Sequence, residues 1–359
     1  MANIGFLSYW GIGRGLSYVT LCYVKMLQDS GHKVFILKQG LNDIQEEYKT
    51  VDVHVTEHKD YIVPREIFKK WLLDNNINAT IFNEYKQWND DPNELVQLCK
   101  ELKVKTYGYL VAEKFKGYQT EEYDRIIAMT VSYERYMRAN KVRNFTYIPF
   151  SIDLNEFPDP MNMAKDPNQP FTFFHPGGWG GVHDRKNTDL VIEAFENLNN
   201  ADECKLIITS QKKLEFKKEL HPNIEIIDKE LTRQEIVDLY YKADCTVMTS
   251  KWDTIGISLL ESLAAGTPVI TTNVPPMNEF IINCTNGYLC NITSLQKYEG
   301  IEVLGAEINS KEIERKMEQI LNKAIYPILT KNARHIIEKI YDLNKNKKYF
   351  LDFLKEDLK

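Results

Sequence analysis

NIGFLSYWGIGRGLSYVTLCYVKMLQDSGHKVFIL, residues 3–37, decides the architecture of this chain. Ile4-Gly5-Phe6-Leu7 is a short apolar run, and the glycines Gly11, Gly13 and Gly15 follow it. Leu16, Val19, Tyr23 and Leu27 then recur at the spacing of one helix face. Gly31 is a helix stop, and Val34 to Leu37 is the next apolar run. Strand, glycine turn, helix, strand is a βαβ unit, which requires a parallel sheet.

The alternation continues outward. Strands are predicted at 79–82, 104–107, 125–129 and 146–149, with helices over Asn93–Glu101 and near Tyr133–Arg138. Pro158, Pro160, Pro167 and Pro170 mark 155–170 as a linker. A second alternation opens with a strand at 171–174 running into His175-Pro176-Gly177-Gly178-Trp179-Gly180-Gly181. Strands at 205–208, 224–227, 245–248 and 269–271 alternate with helices over 189–198, 233–243 and 258–265. The expectation is an α/β protein with domains over 1–155 and 165–340. In the tail, Ile336, Ile337, Ile340 and Tyr341 share one face, and Tyr349, Phe350, Phe353 and Leu354 form a second stripe beyond a polar break at Asn344–Lys348. The tail either caps its own domain or crosses back onto the first; the second reading assigns 344–359 to the first domain.

The chain has 359 residues, 43% hydrophobic and 27% charged, a globular composition that excludes collagen-like, coiled-coil and disordered classes. Residues 1–160 carry 20 Lys and Arg against 22 Asp and Glu, and the rest 25 against 29, so neither half has the positive field of a nucleic-acid binder. No apolar run reaches the roughly 20 residues of a membrane span, and Met1-Ala2-Asn3 has no signal-peptide character. Cysteines 22, 99, 204, 245, 284 and 290 have no metal-ligand spacing and read as reduced thiols of a cytoplasmic protein.

Doubly wound sheets bind ligands outside the carboxyl ends of their strands, at the glycine turns. At the first turn a dinucleotide fingerprint would need glycine where Leu16 stands, and Leu37-Lys38-Gln39 ends the second strand without an acid, which argues against a dehydrogenase. Gly11 and Gly13 remain either an anion or acceptor contact or a tight turn needing positive φ. At the second turn, beyond Gly178, Arg185 and Lys186 precede a helix. Two cations there oppose the helix dipole unless an anion joins them. In the segment Trp252 to Ile270, Asp253 lies before a helix and Glu261 lies within it. Glu261 could accept ribose hydroxyls, Asp253 sugar hydroxyls, and the N–H groups of Ser258 and Leu259 an anion. Lys229 and Leu231, after the strand at 224–227, are candidates for contact with a base. Trp10, Tyr85 and Trp88 could stack on an acceptor sugar or anchor the core.

The segment resembles the signature of the retaining GT-B glycosyltransferases of family four (glycosyl transferases group 1). Gly256, Glu261, Ala264, Gly266, Thr267, Pro268 and Val269 carry the likeness, with Leu239-Tyr240, Ala243-Asp244, Lys186 and Ile192-Glu193-Ala194-Phe195 upstream. Asp253 stands where the family has Glu, and Thr254-Ile255 where it has Gly-Phe. The family's Arg would fall on Gly181, leaving Arg185 as the substitute, and its first-domain His has no counterpart near Tyr109 and Glu113.

The resemblance implies two Rossmann-like doubly wound parallel-sheet domains facing a central cleft. It implies metal-independent transfer of a hexose, by a front-face path, from a nucleotide diphosphate sugar to a glycan or lipid-linked acceptor, in polysaccharide biosynthesis. The donor is a co-substrate and no cofactor is expected; a uridine diphosphate sugar is favoured and a guanosine diphosphate sugar is open. Arg185, Lys186 and Asp253 would be catalytic. Gly13, Gly178, Lys229, Leu231, Gly256, Ile257, Ser258, Leu259 and Glu261 would hold the donor, and Trp10, Gly11, Tyr109 and Glu113 the acceptor. Lys69-Lys70-Trp71-Leu72-Leu73 reads either as peripheral contact with the inner face of a membrane or as a charged-apolar helix face. The competing readings are a catalytically degenerate nucleotide-sugar-binding protein and a nucleotide-sugar epimerase.

Overall fold

The structure is a computed structural model, and it describes residues 1–11, 15–83, 94–109, 122–160, 168–179, 183–216 and 219–358. The chain divides into two compact units, one of Met1–Ser151 with Leu343–Lys359 and one of Ile152–Asp342.

In the first unit the chain runs β1 (Asn3–Ser8), α1 (Gly15–Gln28), β2 (Lys33–Gln39), α2 (Glu46–Lys49), β3 (His54–His58) and α3 (Arg65–Asp74). It continues through β4 (Ala79–Asn83), α4 (Glu94–Glu101), β5 (Lys105–Tyr109), β6 (Arg125–Ala128), α5 (Val131–Ala139) and β7 (Phe145–Tyr147). The sheet order is β3-β2-β1-β4-β5-β6-β7, and every pairing is parallel. β1 and β4 are almost wholly buried, as central strands covered on both faces must be. α1 ends at Gly31 (φ +74°), whose N–H donates to the Gln28 carbonyl while that of His32 donates to Leu27. This is the left-handed closure that favours glycine.

β3 has no apolar run and the sequence pattern does not reveal it. It is an exposed edge strand, His-Val-Thr-Glu-His, held by backbone pairing to β2. In α3, Trp71 and Leu72 are buried in the core with Phe68, and Leu73 is exposed. Of the three apolar side chains suggested for membrane contact, two therefore serve the interior. No helix among the described residues is long and apolar enough to cross a membrane.

The second unit holds β8 (Phe171–Gly178), α6 (Thr188–Glu196), β9 (Cys204–Ser210), β10 (Ile224–Ile227), α7 (Arg233–Lys242), β11 (Cys245–Met248), α8 (Ile257–Ala264), β12 (Val269–Thr272), α9 (Met277–Phe280) and β13 (Gly287–Cys290). Its parallel sheet is ordered β10-β9-β8-β11-β12-β13. β8 runs four residues beyond the predicted apolar run. It passes Pro176 because a register shift between Pro176 and Gly178 removes the need for a ladder N–H. An antiparallel pair, β14 (Ser294–Lys297) and β15 (Leu304–Glu307), then α10 (Ser310–Ile320) and α11 (Tyr326–Ile336) complete it.

The described part of the expected linker is built into this unit. Leu154–Glu156 is a 3-10 turn, Phe157 is fully buried, and the Tyr241 hydroxyl donates to the Pro158 carbonyl at 2.5 Å. The prolines stop a helix there but do not free the chain.

The tail also departs from the sequence pattern. Ile337–Tyr341 winds as a π-helical turn, which buries Ile337 and Tyr341 and leaves Ile340 exposed. The wider period breaks the face expected from 3.6-residue spacing. The chain then extends at Asp342 (ψ 122°), and α12 (Leu343–Asp357) runs straight through Asn344–Lys348. Phe350, Phe353 and Leu354 are buried in the first unit, Tyr349 is exposed, and Phe350 meets Tyr23 at 4.7 Å between ring centroids.

Candidate active site

In the second sheet β8 and β11 are neighbours from which the chain departs in opposite directions. Ligands of doubly wound sheets bind at such a switch point, outside the carboxyl ends of the strands. β8 delivers Gly177 and Gly178 to it, and β11 leads through Thr249 to Asp253. A Cβ at Gly177 would lie 2.7 Å from the Thr209 carbonyl oxygen, so close strand packing requires glycine there. Gly178 (φ +55°) is different: a Cβ would meet nothing within 4 Å, so the main chain borders open space.

Asp253 is the hub of this edge. Its Oδ2 accepts from Arg185 Nη1 at 3.1 Å and from Lys186 Nζ at 3.3 Å. Its Oδ1 accepts from the main-chain N–H groups of Thr254 at 2.9 Å and Gly256 at 3.0 Å, closing the turn that starts α8. Burial alone would raise the Asp253 carboxyl, but Lys186, Arg185 and the Gly256 amide outweigh it and hold it well below the usual carboxylate range. Gly256 enters the helix at φ +79°.

The loop carrying the two cations is tied to the extension of β11. Lys251 N–H donates to the Arg185 carbonyl at 2.8 Å, and Arg185 Nη1 also reaches the Trp252 carbonyl at 3.2 Å. Asn187 (φ +55°) donates through Nδ2 to the Thr249 carbonyl at 2.7 Å. Beneath lies buried His175, whose basicity falls to about 4, chiefly through burial; the nearby Lys186 charge adds to this and the Val247 contact opposes it. The neutral ring donates from Nδ1 to the Val247 carbonyl at 2.8 Å, so Nε2 accepts from the Thr188 hydroxyl at 3.0 Å and fixes the first residue of α6.

A second charged cluster lies along α8. Glu261 is 5% exposed, and each of its oxygens has a donor: Arg233 Nη1 on Oε1, and the Tyr240 hydroxyl on Oε2 at 3.0 Å. Arg233 Nε also donates to Glu156 Oε2 at 2.9 Å. Burial, with the Glu261 charge beside it, pushes the Tyr240 phenol well above its ordinary value, so it stays a proton donor.

Residues 179–343 match the family model described as glycosyl transferases group 1. The match falls almost wholly within the second unit. The chain aligns over 99% of its length with 99% of the sucrose-phosphate synthase structure from Thermosynechococcus elongatus, at TM-score 0.77 and 14% identity. It aligns over 99% with 100% of the Anabaena HepE chain solved in complex with UDP-glucose, at TM-score 0.71 and 13% identity. These likenesses define the fold as GT-B. In sequence it is 31% identical over 164 residues to the alpha-monoglucosyldiacylglycerol synthase of Streptococcus pneumoniae, 44% of this chain and 36% of that protein. The chain spans between 14% and 38% of the length of the curated relatives it matches.

Within the second unit, Arg185, Lys186, Asp253 and Gly256 come together as one cluster, and Glu261 belongs to the other. Leu259 does not present a free amide: its N–H donates to the Gly256 carbonyl at 2.9 Å and its side chain is fully buried. Ile257 and Ser258 form the first turn of α8. Leu231 is buried, while Lys229 is exposed and pairs with Glu235 at 2.9 Å. Among the described residues no three His, Cys, Asp or Glu side chains gather as metal ligands.

In the first unit Trp10 is fully buried, edge-on to Tyr48 at 5.0 Å, so it anchors the core and offers no face to a sugar. Gly11 (φ +78°) is a tight turn. Its N–H donates to Ser17 Oγ at 2.7 Å, and a Cβ would strike Ile44 Cγ2 at 2.5 Å. Tyr109 is buried at the end of β5. Gly13, Tyr85, Trp88, Glu113 and Gly181 lie outside the described residues. Among the described residues, the switch point between β1 and β4 carries a neutral network instead. Ser8 and Thr20 share a hydroxyl bond of 2.7 Å, and Asn83 Nδ2 donates to the Leu16 carbonyl at 3.0 Å and to Thr20 Oγ1 at 2.9 Å. Sequence reasoning missed His175, Asn187, Arg233 and Glu156. Nothing local distinguishes them, because their partners lie between 13 and 77 residues away along the chain.

Proposed function

We propose that this protein transfers a hexose from a nucleotide diphosphate sugar to a glycan or lipid-linked acceptor, retaining the anomeric configuration and using no metal. The observation that carries the reading is the pair of cations, Arg185 and Lys186, converging on one oxygen of Asp253, in the loops that follow β8 and β11. Two cations converge there on one carboxylate at the switch point, where a diphosphate would dock. HepE was solved with UDP-glucose, which favours a uridine nucleotide here; guanosine stays open. The name of the Streptococcus pneumoniae relative favours a glucosyl donor and a lipid acceptor.

In this mechanism the bond from the anomeric carbon to the diphosphate breaks while the acceptor oxygen bonds on the same face, and the acceptor proton passes to the leaving phosphate oxygen. Arg185 and Lys186 stabilise the charge that develops on the diphosphate, an effect aimed at the transition state. Asp253 keeps both cations and the start of α8 in place. Its oxygens are already engaged, so it positions rather than attacks. Glu261 binds the ribose: each carboxylate oxygen has one donor and a further lone pair that can accept a hydroxyl.

The test is to incubate the purified chain with UDP-glucose or GDP-mannose and diacylglycerol or oligosaccharide acceptors, and follow release of nucleotide and the anomer formed. Glycosylated product with the donor's own anomeric configuration is expected. An inverted product would remove the retaining path. Conversion of the donor to its epimer without an acceptor would replace transfer with epimerisation. Binding of donors with no turnover of any kind would favour a degenerate binding protein, a reading motivated by Asp253 standing in place of Glu.

A further inference from the structure

We propose that Arg233, braced by Glu156, is the positioning residue that orients Glu261 toward the ribose hydroxyls; this rests on the donor-site reading above. Arg233 opens α7, directly after the loop that follows β10, and a capping box of Thr232 and Glu235 anchors that helix start. Its guanidinium donates through Nη1 to Glu261 and through Nε to Glu156 at 2.9 Å, and lies 5.4 Å over the Phe157 ring. The three charged side chains are 16% (Arg233), 18% (Glu156) and 6% (Glu261) exposed, so water competes weakly with these bonds.

The geometry fixes the Glu261 carboxylate from both ends. Arg233 and Tyr240 are seven residues apart on α7 and so share a face. They hold different oxygens of the same group. A carboxylate pinned on both oxygens cannot rotate, and its remaining lone pairs point in set directions. Two neighbouring hydroxyls, the 2′ and 3′ groups of a ribose, match two acceptors held this way. Glu156 takes the second edge of the guanidinium, so Arg233 cannot swing away from Glu261. A planar fork fixes direction as a lysine point charge would not. Arg233 therefore acts through Glu261 and need not touch the nucleotide.

Calorimetry with uridine and guanosine diphosphates and their 2′,3′-dideoxy counterparts tests this. The intact protein should bind the ribose form of its nucleotide about tenfold or more tightly than the dideoxy form, the scale of hydrogen bonds to a charged group. Arg233→Gln should bring that ratio to near one while leaving dideoxy affinity within about twofold, as should Glu261→Gln, and combining the two should add nothing. Arg233→Lys should restore only part of the ratio. If Arg233→Gln does not fold, Glu156→Gln, which leaves the Arg233–Glu261 bond in place, should still lower the ratio. Equal losses for both forms, or a ratio unchanged in folded Arg233→Gln or Glu156→Gln, would show a purely structural ion pair and overturn the inference. Failure of the intact protein to bind either nucleotide would instead remove the donor site itself, and this role with it.

Discussion

The sheets of the two units have the same strand order around their switch points, β3-β2-β1-β4 in one and β10-β9-β8-β11 in the other. Among the described residues at the first, Ser8, Thr20 and Asn83 share a neutral hydrogen-bond network, and Ser17 accepts from the Gly11 N–H. At the second, Arg185, Lys186 and Asp253 gather charge. The glycines differ as well. Gly11 is packed against Ile44, whereas Gly178 faces open space. Topology decides where a ligand can sit, and the side chains delivered there decide what it is. A charged edge suits a diphosphate; a neutral hydroxyl and amide network suits an uncharged acceptor.

The contrast can be broken at several points. Replacing Lys186 by Ala should lower kcat by about 10²-fold or more, because it removes a donor aimed at developing charge. Steady-state transfer assays measure this, and near-normal turnover would remove that role from Lys186. Acid should act on the second unit through His175. Its folded basicity, about 4, lies below the usual 6.5. The unfolded chain therefore binds the proton first, so stability is full above pH 6.5 and falls as pH drops toward 4, by about 3 kcal/mol at most. Urea titrations across that range should show the loss, and His175→Gln should flatten it.

Gly11→Ala should destabilise the first unit by about 2 kcal/mol, from left-handed backbone strain plus the Ile44 clash. Gly178→Ala meets no neighbour, so thermal melts should show a loss of only about 1 kcal/mol, and it should act mainly by weakening donor binding. Equal stability losses at the two glycines would erase the distinction between a packed turn and an open one. Glu261→Gln should weaken nucleotide binding about tenfold by calorimetry. Unchanged affinity would return Glu261 to the role of a buried helix residue.

Much of this was legible locally. Apolar runs marked β1, β2, β4 and β8 to β12, and helical spacing marked α1, α6, α7 and α8. Both signals are carried by residues within one turn or one strand of each other. β3 was invisible because an exposed edge strand needs no apolar face, and the π turn at Ile337–Tyr341 because its period is not that of a regular helix. Trp10 shows the opposite failure. An aromatic beside a glycine turn looks like a platform for sugar, yet it is buried against Tyr48.

The amino-acid sequence on its own determined two runs of alternating strand and helix, the glycine turns between them, and the segment from Asp253 to Val269 that carries the family likeness. Only the tertiary structure decided that Asp253 holds Arg185 and Lys186 from 67 to 68 residues away, and that Glu156 and Glu261 share Arg233. Secondary structure follows from steric and hydrophobic preferences of neighbouring residues. Pairing between distant charges is set by which chain segments the sheet brings to one edge, and no local pattern records that.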